Sequence, residues 1–253
     1  MTKSKSPFKD NFLLKQQIHK FLSKHHAQFA QEASRTSSFF ELAAYNDLVK
    51  FYETNGYDIA PQNLKGKTQQ FVYALSPKAK PENCSYFTAE RNYQNGDSFT
   101  FEIRHNIRVQ SAHDPKIFVS PDYSVIEKET VTSARFPHYY NGKIDYFYVA
   151  AKDVKTFAEA KHYAPSPELV LNFVGIINEL MPGLMTGQFP KKKPKHCGPS
   201  LFISGVGNIH LGRIKESLGN RYKANIFMGL FAYPSQVHSA SNQVNIHKIG
   251  SNP

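Results

Sequence analysis

The residues best suited to chemistry in this sequence are a carboxylate and an ammonium two places apart, Glu159 and Lys161. The segment around them mixes aromatic, β-branched and small residues, as half-buried strands do. Because side chains alternate in direction along a strand, the two charged groups are predicted to share one face. A second carboxylate, Asp122, follows Pro121 at the start of an earlier apolar run. Two carboxylates can hold a hard divalent cation, and a neighbouring amine can serve phosphate or water.

The elements that must position these residues can be read from hydrophobic periodicity and from turn and cap signals. Helices are predicted over 8–34, 38–54, 167–181 and 209–222, and strands over 70–75, 86–92, 99–109, 117–126, 144–151, 155–163, 201–206 and 224–231. Ser166 is the predicted N-cap of the third helix, with Pro167 as its first residue. In the second half, strands alternate with helices at a spacing that indicates parallel crossovers.

This order predicts an α/β protein with a mixed central β-sheet flanked by helices. Three regions are expected along the chain: an N-terminal helical region over 1–68, a mixed-sheet core over 69–233 and a polar C-terminal tail over 234–253. The chain has 253 residues, of which 40% are hydrophobic, so it can bury a sizeable core.

The charge balance favours a polyanionic partner. Lys and Arg number 31 against 20 Asp and Glu, which gives a net charge of +11. Nucleic acid is the first partner that such a balance indicates, with an acidic membrane face or an acidic protein second.

Cysteine usage and hydropathy bound the cellular setting. Cys84 and Cys197 are far apart and form neither a disulfide framework nor a zinc motif. No signal-peptide core is apparent, and polar residues and a proline interrupt the longest apolar stretch, 169–185, so no membrane association is expected. These features predict a cytoplasmic protein.

The charged residues and the order of elements together resemble the PD-(D/E)xK nuclease superfamily, whose fold is that of many restriction endonucleases. Pro121-Asp122 matches the first half of the motif, and Glu159-Ala160-Lys161 matches the second. The resemblance covers the layout of residues 98–232 and implies a restriction-endonuclease-like core. It also implies an endodeoxyribonuclease of the restriction, defence or repair type.

The resemblance implies a role for each residue of the motif. Asp122, Glu159 and Lys161 would be the catalytic residues. Asp122 and Glu159 would bind Mg²⁺, for which Mn²⁺ can substitute, and the backbone carbonyl of Ala160 would be a further ligand. Glu41 would be an outer acid, as in family members that add one from the helix before the sheet.

Three alternatives stay open at these positions. Asp145 is nearer to Glu159 in sequence than Asp122 is, and it could be the second metal ligand if 123–131 and 144–151 form a hairpin. Glu41 could instead complete a capping box with Ser38 at the start of the second helix. The pair of Glu159 and Lys161 could also be no more than an exposed ion pair.

Candidate nucleic-acid contacts lie in a basic run and in an aromatic turn. Lysines of the run could meet phosphates, and a tyrosine of the turn could stack on a base. These residues are Lys191, Lys192, Lys193, Lys195, Lys143 and Tyr140. In the alternative interpretation, the basic run is a solvated loop and the aromatic turn is a tyrosine-rich hairpin tip without a ligand.

Two further function classes compete with a metal-dependent nuclease. One is a non-catalytic nucleic-acid-binding or assembly protein that keeps a nuclease-like fold, and the other is a basic interaction module. Cleavage that depends on magnesium separates the first class from the rest. A homodimer is left open as the assembly.

Overall fold

The computed structural model describes residues 11–30, 36–188, 194–230 and 246–250. Within them the fold is mixed α/β, as predicted. The helices are α1 (Asn11–Lys24), α2 (Thr36–Thr54), α3 (Pro167–Leu180) and α4 (Ile209–Tyr222). The strands are β1 (Gln28–Phe29), β2 (Asp58–Gln62), β3 (Gln70–Phe71), β4 (Tyr86–Asn92), β5 (Ser98–His105), β6 (Arg108–Gln110), β7 (Phe118–Val119), β8 (Tyr123–Glu127), β9 (Thr132–Ala134), β10 (Tyr146–Ala150), β11 (Val154–Lys161), β12 (His196–Cys197), β13 (Ser200–Ile203), β14 (Asn225–Phe227) and β15 (Lys248–Ile249).

A seven-stranded sheet forms the centre of the molecule, in the order β14-β13-β11-β8-β5-β4-β2. Pairing is antiparallel from β2 through β4, β5 and β8 to β11, and it is parallel from β11 through β13 to β14. The parallel connections contain α3 and α4, which confirms the predicted crossovers. Ser166 caps α3 as expected, since its side chain accepts a hydrogen bond from the amide of Leu169.

Helices cover both faces of this sheet. On one face α1 and α2 pack with Ala158 and Ala160 of β11 in a core rich in aromatic residues. On the other face α3 and α4 pack with Phe157, whose side chain points away from Ala158 because direction alternates along β11. The strand that carries Glu159 and Lys161 is therefore buried on both sides along most of its length.

A smaller sheet, in the order β7-β6-β10-β9, corrects two expectations. The run 117–126 is not one strand, because β7 belongs to the small sheet and β8 to the large one. Ser120, Pro121 and Asp122 separate them, and a proline cannot donate to a sheet ladder. The runs 144–151 and 155–163, which the sequence indicates as adjacent strands joined through Lys152-Asp153, are likewise not paired. A turn of 3₁₀ helix over Ala151–Asp153 carries the chain from β10 in the small sheet to β11 in the large one.

The N-terminal expectations also need correction. The first helix ends at Lys24 and does not extend to residue 34. His26 adopts a left-handed backbone conformation just after it, and β1 follows. The second helix already includes Thr36, so Ser38 lies inside it and cannot be its N-cap. The capping-box interpretation of Glu41 is therefore wrong.

The β2 strand occupies one edge of the large sheet and contains a proline, Pro61. It comes from the predicted N-terminal helical region, yet it pairs along its whole length with β4. The division of the chain at 68 stays a prediction. No helix within the described ranges is long and apolar enough to cross a membrane.

Candidate functional site

The candidate site lies where β8 and β11 part. Their pairing ends at Ala158 opposite Tyr123. One residue earlier than Tyr123, the Oδ2 atom of Asp122 accepts a hydrogen bond of 2.6 Å from the backbone amide of Ala160. The Asp122 side chain thus replaces the strand partner that Ala160 lacks at this point, which satisfies a buried donor.

Lys161 lies between the two carboxylates that the sequence singled out. Its Nζ is 2.6 Å from Oε2 of Glu159 and 3.4 Å from Oδ2 of Asp122. Glu159 and Lys161 meet because they alternate onto the same side of β11, as predicted. Glu159 is 5% exposed, so this is a buried carboxylate and not one half of an exposed surface pair.

The Ala160 carbonyl faces the same side of β11 as its amide. The amide of Ser204 donates to the carbonyl of Lys161 on the side of β13. Because the peptide groups of successive residues alternate in direction along a strand, the amide and carbonyl of Ala160 are directed toward Asp122. The role of this carbonyl as a metal ligand stays a prediction.

Helix α2 brings a third carboxylate, Glu41, toward this group. The hydroxyl of Tyr123 donates a 2.6 Å hydrogen bond to the backbone carbonyl of Glu41, which ties α2 to β8. Burial first, and then repulsion by Asp122, raise the pKa of the Glu41 carboxyl to about 7, while the Lys161 charge opposes the rise.

Burial and neighbouring charges shift the pKa values of Glu159 and Lys161. Burial, and then repulsion by Asp122, raise the pKa of Glu159, although Lys161 lowers it in part. Burial alone would lower the pKa of the Lys161 ammonium, but the charges of Asp122 and Glu159 outweigh burial and raise it. Lys161 is therefore a firmly protonated group beside Glu159, a carboxyl that resists ionisation.

The raised pKa of Glu41 predicts a pH-dependent loss of stability. Its folded pKa of about 7 lies above the usual value, so its contribution is complete below pH 4.5 and is lost as the pH rises through 7. We expect Glu41→Gln to remove this loss, and to raise the free energy of unfolding above pH 7 by on the order of 1–2 kcal/mol. Urea unfolding from pH 4 to 8 measures the difference.

The matched control is Glu216→Gln, at an exposed glutamate on α4. Its unfolding free energy should run parallel to that of the wild type throughout the range. If the unfolding free energy of Glu41→Gln also ran parallel to that of the wild type from pH 4 to 8, the carboxyl of Glu41 would not be buried beside Asp122.

Asp145 is kept apart from this group. It precedes β10 in the small sheet, and its Oδ1 accepts a hydrogen bond of 2.8 Å from Arg135. The pair is about half exposed. The hairpin that would have brought Asp145 to Glu159 does not form, since β10 pairs with β6 and β9.

The other candidate residues are dispersed or outside the described part. Lys191, Lys192 and Lys193 lie outside the described residues, as does the side chain of Tyr140. Lys143 is exposed near the small sheet, and Lys195 is half-buried, with its carbonyl bonded to the hydroxyl of Tyr57. These assignments stay predictions.

The donor set fits a hard divalent cation in chemistry. Mg²⁺ is commonly held by one or two carboxylates, with waters and phosphate oxygens as its remaining ligands. Asp122 and Glu159 supply two mutually repelling carboxylates, and a cation between them would relieve that repulsion. Across the described residues, no group of three or more His, Cys, Asp or Glu side chains is arranged to hold a metal. A site here would therefore depend on the carbonyl and on solvent or substrate oxygens.

Two features of the site escaped sequence reasoning. The hydrogen bond of Asp122 to Ala160 depends on where two strands part, and the approach of Glu41 depends on how α2 packs. The only sequence signal was the proline before Asp122, which marks a break in the strand.

The chain matches no family model, no curated protein and no solved structure.

Proposed function

We propose that the protein is a metal-dependent nuclease that hydrolyses phosphodiester bonds in DNA. The observation that carries the proposal is the convergence of Asp122, Glu159 and Lys161 at the point where β8 and β11 part. Two repelling carboxylates beside a protonated amine are suited to a divalent cation and a phosphate.

Asp122, Glu159 and the carbonyl of Ala160 would hold Mg²⁺ or Mn²⁺. When bound, the cation lowers the pKa of a bound water and stabilises negative charge on phosphate oxygens. The two carboxylates must be ionised to serve as ligands. Because the pKa of Glu159 is raised, metal binding is expected to release a proton near neutral pH.

Lys161 would act as a fixed positive charge. Its raised pKa keeps it protonated at neutral pH, so it is suited to donating a hydrogen bond and not to accepting a proton. In this role it would orient the attacking water or a phosphate oxygen and stabilise the charge that develops during hydrolysis. Glu41 would be an outer acid that adjusts the charge of the site.

DNA is proposed as the substrate because of the overall charge. A net charge of +11 creates a field that attracts a phosphate backbone from a distance. The same field would serve a binding protein without catalysis, which is the second class of function that the sequence leaves open.

The test is cleavage of supercoiled plasmid, linear duplex and single-stranded DNA by the purified protein. Reactions contain Mg²⁺, Mn²⁺ or a chelator, with a Glu159→Gln preparation beside each to exclude a contaminating nuclease. We expect cutting with either cation and none with the chelator. Cutting that persists in the chelator would contradict the mechanism, and DNA binding without cutting under any condition would favour the non-catalytic class.

A further inference from the structure

The outward face of the small sheet differs from its inward face. Val109 and Val149 lie in the core beneath α3. Their neighbours Arg108 and Tyr148 stand directly across from each other in the paired strands β6 and β10. Because direction alternates along a strand, both side chains lie on the face turned away from that core.

Five aromatic side chains gather on this outward face. The ring of Phe118 is the centre, at 4.8 Å from Tyr146, 5.0 Å from Tyr148 and 5.1 Å from Phe136, measured between ring centroids. All except Tyr146 are only half-buried. We call Phe118, Phe136, Tyr139, Tyr146 and Tyr148 the aromatic surface.

A nearly buried cation lies against the aromatic surface. Arg108 is 5% exposed, and its Cζ is 3.9 Å from the centroid of the Tyr146 ring. Over the described residues it has no hydrogen bond from its side chain and no ion pair. The nearest acid in sequence to this ring, Asp145, is engaged by Arg135.

A charge that is largely shielded from water is unfavourable unless polar groups or an anion complete it. A guanidinium stacked on an aromatic ring keeps its N–H groups for a phosphate, which it can bind through two parallel hydrogen bonds. Half-exposed rings beside it are suited to bases, because any base can stack on an aromatic side chain. The rings and the guanidinium together fit a nucleic-acid strand, which offers both bases and phosphates.

The aromatic surface is connected to the candidate site by a short piece of chain. Only Val119, Ser120 and Pro121 separate Phe118 from Asp122. The Cα atoms of Phe118 and Asp122 therefore cannot be more than about 14 Å apart. One strand of a few nucleotides can reach from the carboxylates to the rings.

We infer that Arg108 and the aromatic surface bind single-stranded DNA, with bases on the rings and a phosphate at Arg108. Bases in a duplex are stacked on each other and do not offer their faces to a protein. The inference rests on the proposed function in one respect, since it makes single-stranded or frayed DNA the substrate class of that nuclease. The binding itself does not require the metal.

Binding is measured by fluorescence anisotropy in a chelator, so that cleavage plays no part. The probes are a labelled single-stranded oligonucleotide, its duplex and an abasic oligonucleotide of equal length, which keeps the phosphates and lacks the bases. We expect the single strand to bind at least about fivefold more tightly than the duplex or the abasic oligonucleotide. This factor corresponds to the binding free energy of roughly one base stacked on an aromatic ring. Equal affinities for the three probes would overturn the inference.

Variants locate the binding on the aromatic surface. Phe118→Leu, Tyr148→Leu and Arg108→Met should each weaken binding of the single strand by about fivefold or more. Phe12→Leu is the control, at a phenylalanine of α1 that is 63% exposed. Thermal unfolding checks that each variant is folded. Wild-type affinity in folded Phe118→Leu and Tyr148→Leu would overturn the assignment.

The outcome separates this inference from the proposed nuclease. Tight binding of the single strand without cleavage would remove the nuclease and support the binding surface. Metal-dependent cleavage with equal rates and equal affinities for duplex and single strand would support the nuclease and overturn the binding surface.

Discussion

Glu159→Gln and Lys161→Met are each expected to reduce metal-dependent cleavage of DNA by at least about 100-fold. Gln keeps the shape of Glu159 but removes the charge that a cation requires. Met keeps the aliphatic length of Lys161 and removes the positive charge that lies 2.6 Å from Glu159. Initial rates of plasmid nicking at saturating Mn²⁺, with circular dichroism as the check on folding, provide the measurement.

A matched control lies on the same strand. Lys155 of β11 forms an ion pair with Glu127 of β8, away from the end where the two strands part. Lys155→Met and Glu127→Gln remove the same kinds of groups from the same pair of strands. Both should cleave at close to the wild-type rate. Wild-type rates for Glu159→Gln and Lys161→Met would withdraw the catalytic assignment of these residues.

Asp122→Asn is expected to weaken binding of Mn²⁺ by at least about tenfold, because it removes one of two ligand charges. Asn keeps an oxygen that can still accept the hydrogen bond from the amide of Ala160, so the strands should remain joined. Ala at this position would leave that buried amide without a partner, at about 1–3 kcal/mol. Isothermal titration calorimetry of Asn variants therefore separates the metal role from the structural one.

Asp145→Asn is the comparison that decides between the two aspartates. It removes an exposed ion pair with Arg135 in the small sheet and should bind Mn²⁺ as the wild type does. A loss confined to Asp145→Asn would mean that the spacing nearest to Glu159 is the functional one. The contact of Asp122 with Ala160 would then be purely structural.

The parts of the fold that follow from local rules could be predicted from the sequence. Alternation along a strand was enough to bring Glu159 and Lys161 together, and caps such as Ser166 fixed the ends of α3. The parallel connections followed from the order of strands and helices. Each of these depends on residues that are close in the chain.

The features that sequence reasoning missed depend on which distant strands pair. Periodicity gives 117–126 as one apolar run, but the two halves of that run join different sheets. The same choice of sheet separates Asp145 from Glu159. It also leaves Arg108 nearly buried without an acid among the described residues, because its strand neighbours are aromatic. Hydrophobic pattern alone does not distinguish between two sheets that both need apolar strands.

Pro61 has a consequence for how copies of this chain can associate. It lies in β2, which pairs with β4 on one side and forms the outer edge of the large sheet on the other. A proline has no amide hydrogen to offer to an incoming strand, and a charged residue, Asp58, begins the same edge. Such an edge resists extension by a further strand, which is how natural sheets avoid aggregation and strand exchange. Self-association of this protein would therefore not continue the sheet through β2, and would have to use the β14 edge or another surface.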